Sequence, residues 1–273
     1  MIKVYDASFY YHKGRELFSG LSFELPERET LAILGANGAG KTSLLRCLMR
    51  FLKFKKGSAF FGGADLGSIR EDEFWRKVSY VPQAKACVFG HTCLNMVIMG
   101  RSPYIGTGRR PKQADVDAAL TTMRSLGLEN IASRPVSSLS GGELQMALIA
   151  RALVKDPEIL IMDEPESNLD LRNQLRVLEL IEKLRAERNI TIVVNTHFPG
   201  HALRIADRTL FLGSEGHVYG KTVEAVNEAN IRKFYGVDSV ILSVDAPAFN
   251  VPAVVPMGIC EKKFFWRRYE KAV

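Results

Sequence analysis

Apolar and polar positions alternate over the first thirty residues and then give way to blocks. Val4-Tyr5 and Ser8-Phe9-Tyr10-Tyr11 precede Leu21-Ser22-Phe23-Glu24-Leu25, with Gly14 and Gly20 between them, which predicts short antiparallel strands. Pro26-Glu27-Arg28-Glu29 reads as a turn, and Thr30-Leu31-Ala32-Ile33-Leu34 is an apolar run ending on glycine that predicts a buried strand. Residues 41–51 carry Leu44, Leu45, Leu48 and Met49 at helical spacing, and residues 57–61 and 77–81 predict further strands. From 84 to 139 the pattern turns helical, with Val116, Ala119, Leu120 and Met123 on one face after a stretch rich in Gly, Arg and Pro at 100–111. Beyond it come a helix at 143–154, a buried strand at 158–162, and a long helix capped by Asp170 with Leu171, Leu175, Leu178 and Ile181 on one face. A β-branched strand at 190–194 and a hairpin at 209–219 around Gly213-Ser214-Glu215-Gly216 follow. Strands alternating with helices imply an α/β fold, a parallel sheet covered on both faces. Residues 236–273, with Pro247, Pro252 and Pro256 and no clear period, break that rhythm and read as an appendage.

A chain of 273 residues, 47% hydrophobic and 25% charged, fits one large α/β domain or one domain with a sizeable insertion. No apolar run approaches the ~18 residues that span a bilayer, and the first residues lack the plan of a signal peptide. Cys47, Cys87, Cys93 and Cys260 are scattered without a C-x-x-C pair, so a disulfide framework or a cysteine metal site is not expected and a reducing compartment is. The net charge of +7 is partly local, because residues 261–273 hold five basic and two acidic residues. Lys262-Lys263-Phe264-Phe265-Trp266-Arg267-Arg268-Tyr269 mixes bases with aromatics, a composition that suits a membrane surface and competes with a simple solvated end. Nucleic acid is not an expected partner.

Two stretches carry chemistry. Gly35-Ala36-Asn37-Gly38-Ala39-Gly40-Lys41-Thr42, followed by Ser43, fits G-x-x-x-x-G-K-[ST] between a strand and a helix. Its glycines let the backbone wind tightly and turn N–H groups inward, toward the positive end of the next helix. Lys41 would reach the β- and γ-phosphates and Thr42 would ligate Mg²⁺, so the expected ligands are ATP and Mg²⁺. Ile159-Leu160-Ile161-Met162-Asp163-Glu164 is an apolar strand ending in two carboxylates. Asp163 would hold the metal and Glu164 would orient or deprotonate the attacking water.

Four further stretches, in order along the chain, resemble motifs of the ABC ATPases. Leu139-Ser140-Gly141-Gly142-Glu143 is similar to the LSGGQ-type signature, and Gln83 after Val81-Pro82 resembles the Q-loop. Ser167-Asn168-Leu169-Asp170 resembles the D-loop, and Thr196-His197 the switch histidine. The resemblance covers residues 1–235 and implies a P-loop NTPase with a RecA-like core (1–83 and 140–235), an N-terminal antiparallel β subdomain and a helical insertion (84–139), leaving 236–273 as a C-terminal extension. It also implies that Ser140, Gly141 and Gly142 of one copy complete the site of a second copy. On the same basis Tyr11 is the residue expected to stack on adenine, His197 to contact the γ-phosphate, Gln83 to sense the metal or the water, and Asp170 to belong to the nucleotide site. The departures are Glu166, where the family usually has Thr after Asp-Glu-Pro, Asn168 for a common Ala, and Phe198-Pro199 after the histidine. Glu166 is a candidate brake on turnover, through a negative charge added near the site.

Val97-Ile98-Met99-Gly100-Arg101-Ser102-Pro103-Tyr104-Ile105-Gly106 resembles a stretch of the ATPases of iron-siderophore, haem and cobalamin importers, with molybdate importers as near relatives. That implies a homodimer on the cytoplasmic face of the membrane, docked on a multi-spanning permease dimer and served by an extracytoplasmic binding protein. The permease would enter a groove around residues 83–99. The competing readings are a soluble cluster-assembly ATPase, an exporter subunit, and a module that holds ATP without turning it over.

Overall fold

The structure is a computed structural model and describes residues 1–12, 16–84, 90–106, 108–246 and 249–260. In chain order its first third contains β1 (Ile2–Tyr10), β2 (Glu16–Leu25), β3 (Thr30–Leu34), α1 (Lys41–Leu48), β4 (Lys56–Phe61), β5 (Ala64–Asp65), α2 (Glu71–Lys77) and β6 (Val78–Val81). Then follow α3 (Cys93–Ile98), α4 (Ser102–Ile105), α5 (Gln113–Ser125), α6 (Gly141–Leu153), β7 (Ile159–Asp163), α7 (Leu171–Glu187) and β8 (Thr191–Asn195). The last third holds α8 (Pro199–Ile205), β9 (Arg208–Gly213), β10 (Gly216–Lys221), α9 (Thr222–Ala225), α10 (Glu228–Tyr235), β11 (Val237–Ala246) and β12 (Phe249–Ile259).

The central sheet has the order β10-β9-β3-β8-β7-β6. All its neighbours pair in parallel except β10, which folds back antiparallel on β9. Its central strands β3, β7 and β8 are buried on both faces, and their period of two divides the core in two. Ala32, Leu34, Leu160, Met162, Ile192 and Val194 point into one apolar cluster with α6, α7 and the helices of residues 93–131. Leu31, Ile33, Ile159, Ile161, Val193, Leu210 and Leu212 point into the other, with α1 and the β2-β1-β4-β5 antiparallel sheet. The expected parallel sheet with both faces covered, and the separate N-terminal antiparallel sheet, are therefore present.

Four local readings change. α2 was not anticipated; it is an acidic-to-basic heptapeptide, Glu71-Asp72-Glu73 to Arg76-Lys77, whose sole buried side chain is Phe74. The apolar face assigned to α7 is half right: Leu178 and Ile181 are buried, but Leu171 and Leu175 are 73% and 40% exposed, because the first turns overhang the core. The N-terminal strands are long rather than short, nine and ten residues. The segment after 236 is an antiparallel hairpin rather than an aperiodic appendage. Val254 and Ile241 face the core cluster, while Val240, Leu242, Val255 and Met257 stay exposed. Pro252 and Pro256 are tolerated because a two-stranded ribbon has an outer edge where no N–H is needed. The aromatic and basic residues 262–269 and Cys87 lie outside the described residues. No helix among the described residues is long and apolar enough to cross a membrane.

At Gly100 the helical region packs tightly on α6 of the core. A Cβ there would lie 1.9 Å from the Arg151 carbonyl oxygen and 2.6 Å from Val154 Cγ1. Gly100→Ala is expected to destabilise the chain by about 2 kcal/mol or more, since a backbone atom cannot yield as a side chain can. Urea unfolding measures it; an unchanged midpoint would refute the close packing of this turn on α6.

Candidate active site

Three adjacent strands of the sheet deliver the chemical groups. β3 runs into the glycine loop, β8 lies beside it and runs into Thr196-His197, and β7 lies beside β8 and ends on Asp163-Glu164. Because all three are parallel, their C-terminal ends open on one side, where ligands of parallel sheets bind.

The glycine loop is wound by residues that need positive φ. Gly35, Gly38 and Gly40 have φ of 142°, 81° and 93°, and a Cβ on Gly35 would meet the Leu212 carbonyl oxygen at 2.1 Å. Gly40 caps α1 in the left-handed region, so the first N–H groups of that helix face the loop. Lys41 folds back and donates to the carbonyls of Gly35 (2.6 Å) and Ala36 (3.1 Å). Burial pushes its ammonium below the usual lysine range, while Glu164 and Asp163 oppose that shift. The loop borders a cavity of about 560 Å³ whose wall also includes Tyr11, His12, Leu17, Glu164 and His197.

Glu164 stands at the centre of a hydrogen-bonded group. His197 Nε2 is 2.5 Å from its Oε1, Gln83 Nε2 donates to Oε2 at 3.3 Å, and Ser167 Oγ donates to Oε2 at 3.0 Å. The ammonium of Lys41 lies 3.4 Å from His197 Nδ1 and has protons only to give. Nδ1 is therefore the acceptor, and Nε2 carries the proton donated to Glu164. Glu164 itself has φ of 49°, a strained conformation for a residue with a side chain, and its N–H is anchored on the Asn195 carbonyl at 2.9 Å.

Asp163 is buried and held by three donors: Asn195 Nδ2 (2.5 Å), Thr42 Oγ1 (3.5 Å) and Tyr80 Oη (3.5 Å). Burial and the Asp163 charge push the Tyr80 phenol up to about 12, so it remains a donor. Thr42 and Asp163 together present hard oxygen donors, the set that Mg²⁺ takes when substrate phosphates supply other ligands. No cluster of three or more His, Cys, Asp or Glu side chains that could hold a metal alone is found among the described residues. Tyr11 is 53% exposed at the cavity mouth, its hydroxyl 3.2 Å from Ser43 Oγ and its ring edge-on to Phe9.

Ser140, Gly141 and Gly142 are elsewhere, and none of them lines the phosphate cavity. They open α6 through a capping box: Ser140 Oγ accepts from the Glu143 N–H, and Glu143 Oε2 accepts from the Ser140 N–H. Asp170 sits with them. It caps α7 by accepting from the Asn173 N–H at 2.8 Å, and the Asn173 side chain occupies the space a Cβ on Gly142 would fill. Within one chain, then, the anticipated residues form two groups: Tyr11, the glycine loop, Gln83, Asp163, Glu164 and His197 in one, and Ser140–Gly142 with Asp170 in the other. Glu166 does not face the glycine-loop cavity: the residue is 1% exposed and absent from the cavity wall.

Residues 18–167 match the family model described as ABC transporter. The chain belongs to the ABC transporter ATP-binding family. An uncharacterized ABC transporter ATP-binding protein of Methanocaldococcus jannaschii is 38% identical, over 94% of this chain and 99% of the relative. The molybdate import ATP-binding protein MolC of Haemophilus influenzae is 34% identical over 86% of this chain and 87% of its own. The achromobactin transport ATP-binding protein CbrD of Dickeya dadantii is 30% identical over 90% and 91%. Among solved structures, a chain of a transporter described as of metal-chelate type, in an inward-facing conformation, superimposes with a TM-score of 0.84 at 31% identity, covering 94% of this chain and 96% of that one. This ABC protein is accordingly an ATPase, the ATP-binding subunit of a transporter.

Sequence reasoning missed two groups of this ABC ATPase that only the fold brings near. Asn195 anchors Asp163 from the next strand. Tyr235, the last residue of α10, accepts the Gly35 N–H at 3.0 Å, its phenol pushed up to about 12 by burial. No local pattern marks either, since both act across more than thirty residues of sequence. Tyr235→Phe leaves the Gly35 N–H unpaired and is expected to cost about 1–3 kcal/mol. Denaturant unfolding of the nucleotide-free protein measures this, and an unaltered stability would show that the phenol is not needed there.

Proposed function

We propose that this ATPase powers an importer of a metal chelate such as an iron-siderophore, haem or cobalamin. The observation that carries the hydrolytic part is Glu164, held between His197 and Gln83 on the wall of the phosphate cavity. Glu164 takes the proton of the attacking water as general base, aimed by His197 and Gln83. Lys41 and the loop N–H groups hold the β- and γ-phosphates, Tyr11 meets the adenine, and Ser43 follows Thr42 into the helix end that faces the phosphates. Thr42 and Asp163, with Gln83 nearby, would hold Mg²⁺, which when bound neutralises charge on the phosphates.

The partner assignments rest on what one chain lacks. Ser140 and Gly141 are exposed at the start of a thirteen-residue helix, away from their own glycine loop, which suits capture of the γ-phosphate of ATP on a second copy. The proposed state is a homodimer enclosing two ATP molecules, and closure follows because ATP binds the closed form more tightly than the open one. A groove of about 610 Å³ between core and helical region, walled by Tyr80, Pro82, Gln83, Met96, Met99 and Leu144, suits a short helix of a permease and leads directly to Asp163 and Glu164. Attachment there puts the chain at the cytoplasmic membrane face, with a binding protein supplying the permease from the other side. The metal-chelate assignment is supported by residues 97–106 and by the likeness to CbrD and to the metal-chelate type transporter. The higher identity to MolC favours molybdate as the second reading.

Glu164→Gln is expected to lower kcat by about 10²–10⁴-fold while ATP still binds, and to trap an ATP-bound dimer visible by size-exclusion chromatography. Retained turnover would eliminate Glu164 as the base. The transport reading is tested by purifying the tagged chain from membranes. A permease partner that moves a ferric chelate into vesicles supports it, and one that moves molybdate supports the second reading.

A further inference from the structure

The buried carboxylate of Glu166 has no part in the chemistry above. Its Oε1 accepts from the hydroxyl of Thr196, and His201 Nδ1 lies 3.6 Å from the same oxygen, making no hydrogen bond among the described residues. A carboxylate so enclosed has to be held by hydrogen bonds or an opposing charge, and Thr196 and His201 are the groups that face it. Thr196 also accepts the N–H of Phe198 on its hydroxyl, at 3.1 Å, and donates its own N–H to the Ile33 carbonyl at 3.1 Å. One hydroxyl thus shapes the turn that contains His197, and Glu166 holds that hydroxyl.

The placement matters because of what lies on either side. Glu166 is two residues beyond Glu164, and Thr196 directly precedes His197. The loops after β7 and β8 are tied by the Glu164 N–H on the Asn195 carbonyl and by Asn195 on Asp163. Both ties lie at the strand ends. The Thr196–Glu166 bond ties the two loops beyond those strand ends, one residue before His197, which meets Glu164 at 2.5 Å.

We infer that Glu166 is a positioning residue for hydrolysis. Through Thr196 it locks the loop carrying His197 against the loop carrying Glu164, and so sets how the imidazole meets the general base. This rests on the reading of Glu164 and His197 given above. It places Glu166 outside the binding of ATP, since neither it nor Thr196 lines the cavity.

Steady-state ATPase assays of Glu166→Val, Thr196→Val, the double variant and Glu166→Gln test it, with rates expressed per folded, ATP-binding site. Each valine variant is expected to lower kcat by about 10- to 100-fold, as a misplaced catalytic group does, with KM for ATP within about twofold. The double variant should be no worse than the poorer single one, because the two side chains act as one unit. Glu166→Gln, whose carbonyl still accepts from Thr196, should recover most of the rate. Unchanged kcat per site, losses that multiply in the double variant, or a Gln variant as slow as the Val variant would each overturn the inference. If Glu166→Val does not fold, Thr196→Val against Thr196→Ser makes the same comparison, since serine keeps the hydroxyl. Glu164→Gln measured alongside separates the two levels. Its failure to stop turnover removes the base itself, whereas a silent Thr196→Val beside an inactive Glu164→Gln removes only the role of Glu166.

Discussion

Strand β8 runs between β3 and β7, and its last residue, Asn195, pairs with Ile33 on one side and Asp163 on the other. That register is the constraint on which the site depends. It makes the glycine loop, the histidine and the acidic pair leave the sheet at the same level and on the same side. A slip of one residue would turn every side chain to the opposite face, sending Ile192 and Val194 into the wrong core and Asn195 away from Asp163. The apolar alternation of three five-residue strands therefore holds the distance between Lys41, Glu164 and His197.

Within that frame the charges are arranged around one cation. Lys41 is buried, bonded to two carbonyls of its own loop, and faces His197 from the side opposite Glu164. Its contact leaves Nδ1 as the acceptor and so Nε2 as the nitrogen that donates to Glu164. The result is a hydrogen-bonded chain that runs from the lysine through the histidine to the glutamate, which accepts. The left-handed backbone at Glu164 is the strain this arrangement tolerates, and the Asn195 carbonyl holds it in place.

The remaining parts of the fold bear on this centre through a few contacts. The helical region approaches the core at Gly100, where nothing larger fits against α6. The C-terminal hairpin packs on α8 and α10, the helix that follows His197 and the helix that ends on Tyr235. It therefore supports the helix that follows His197 and the helix whose last residue bonds Gly35. The opening of α6 is exposed, with Asp170 and Asn173 beside it, on a part of the surface separate from the glycine loop of the same chain.

Much of the molecule was legible in the order of its residues. Gln83, Ser140–Gly142 and His197 stood out only through the resemblance to ABC ATPases, whereas Gly35 to Thr42 between an apolar strand and an amphipathic helix and Asp163-Glu164 at the end of another apolar strand are local patterns. The physics behind them is local too: glycine for positive φ, strand burial, helix N-termini for anions. The sheet, its parallel sense and the N-terminal antiparallel layer followed from period and length. Other features were decided only by the tertiary structure. Leu171 and Leu175 look as apolar as Leu178, yet where the core ends is a matter of neighbours. The prolines after 236 argue against a strand until a free edge is available to accept them. Glu166 reads the same in the sequence whether it faces phosphate or protein, and only the tertiary structure shows it turned inward onto Thr196. Tyr235 and Gly35 are two hundred residues apart, and no pattern in either segment encodes a bond that exists because α10 closes over the end of β3.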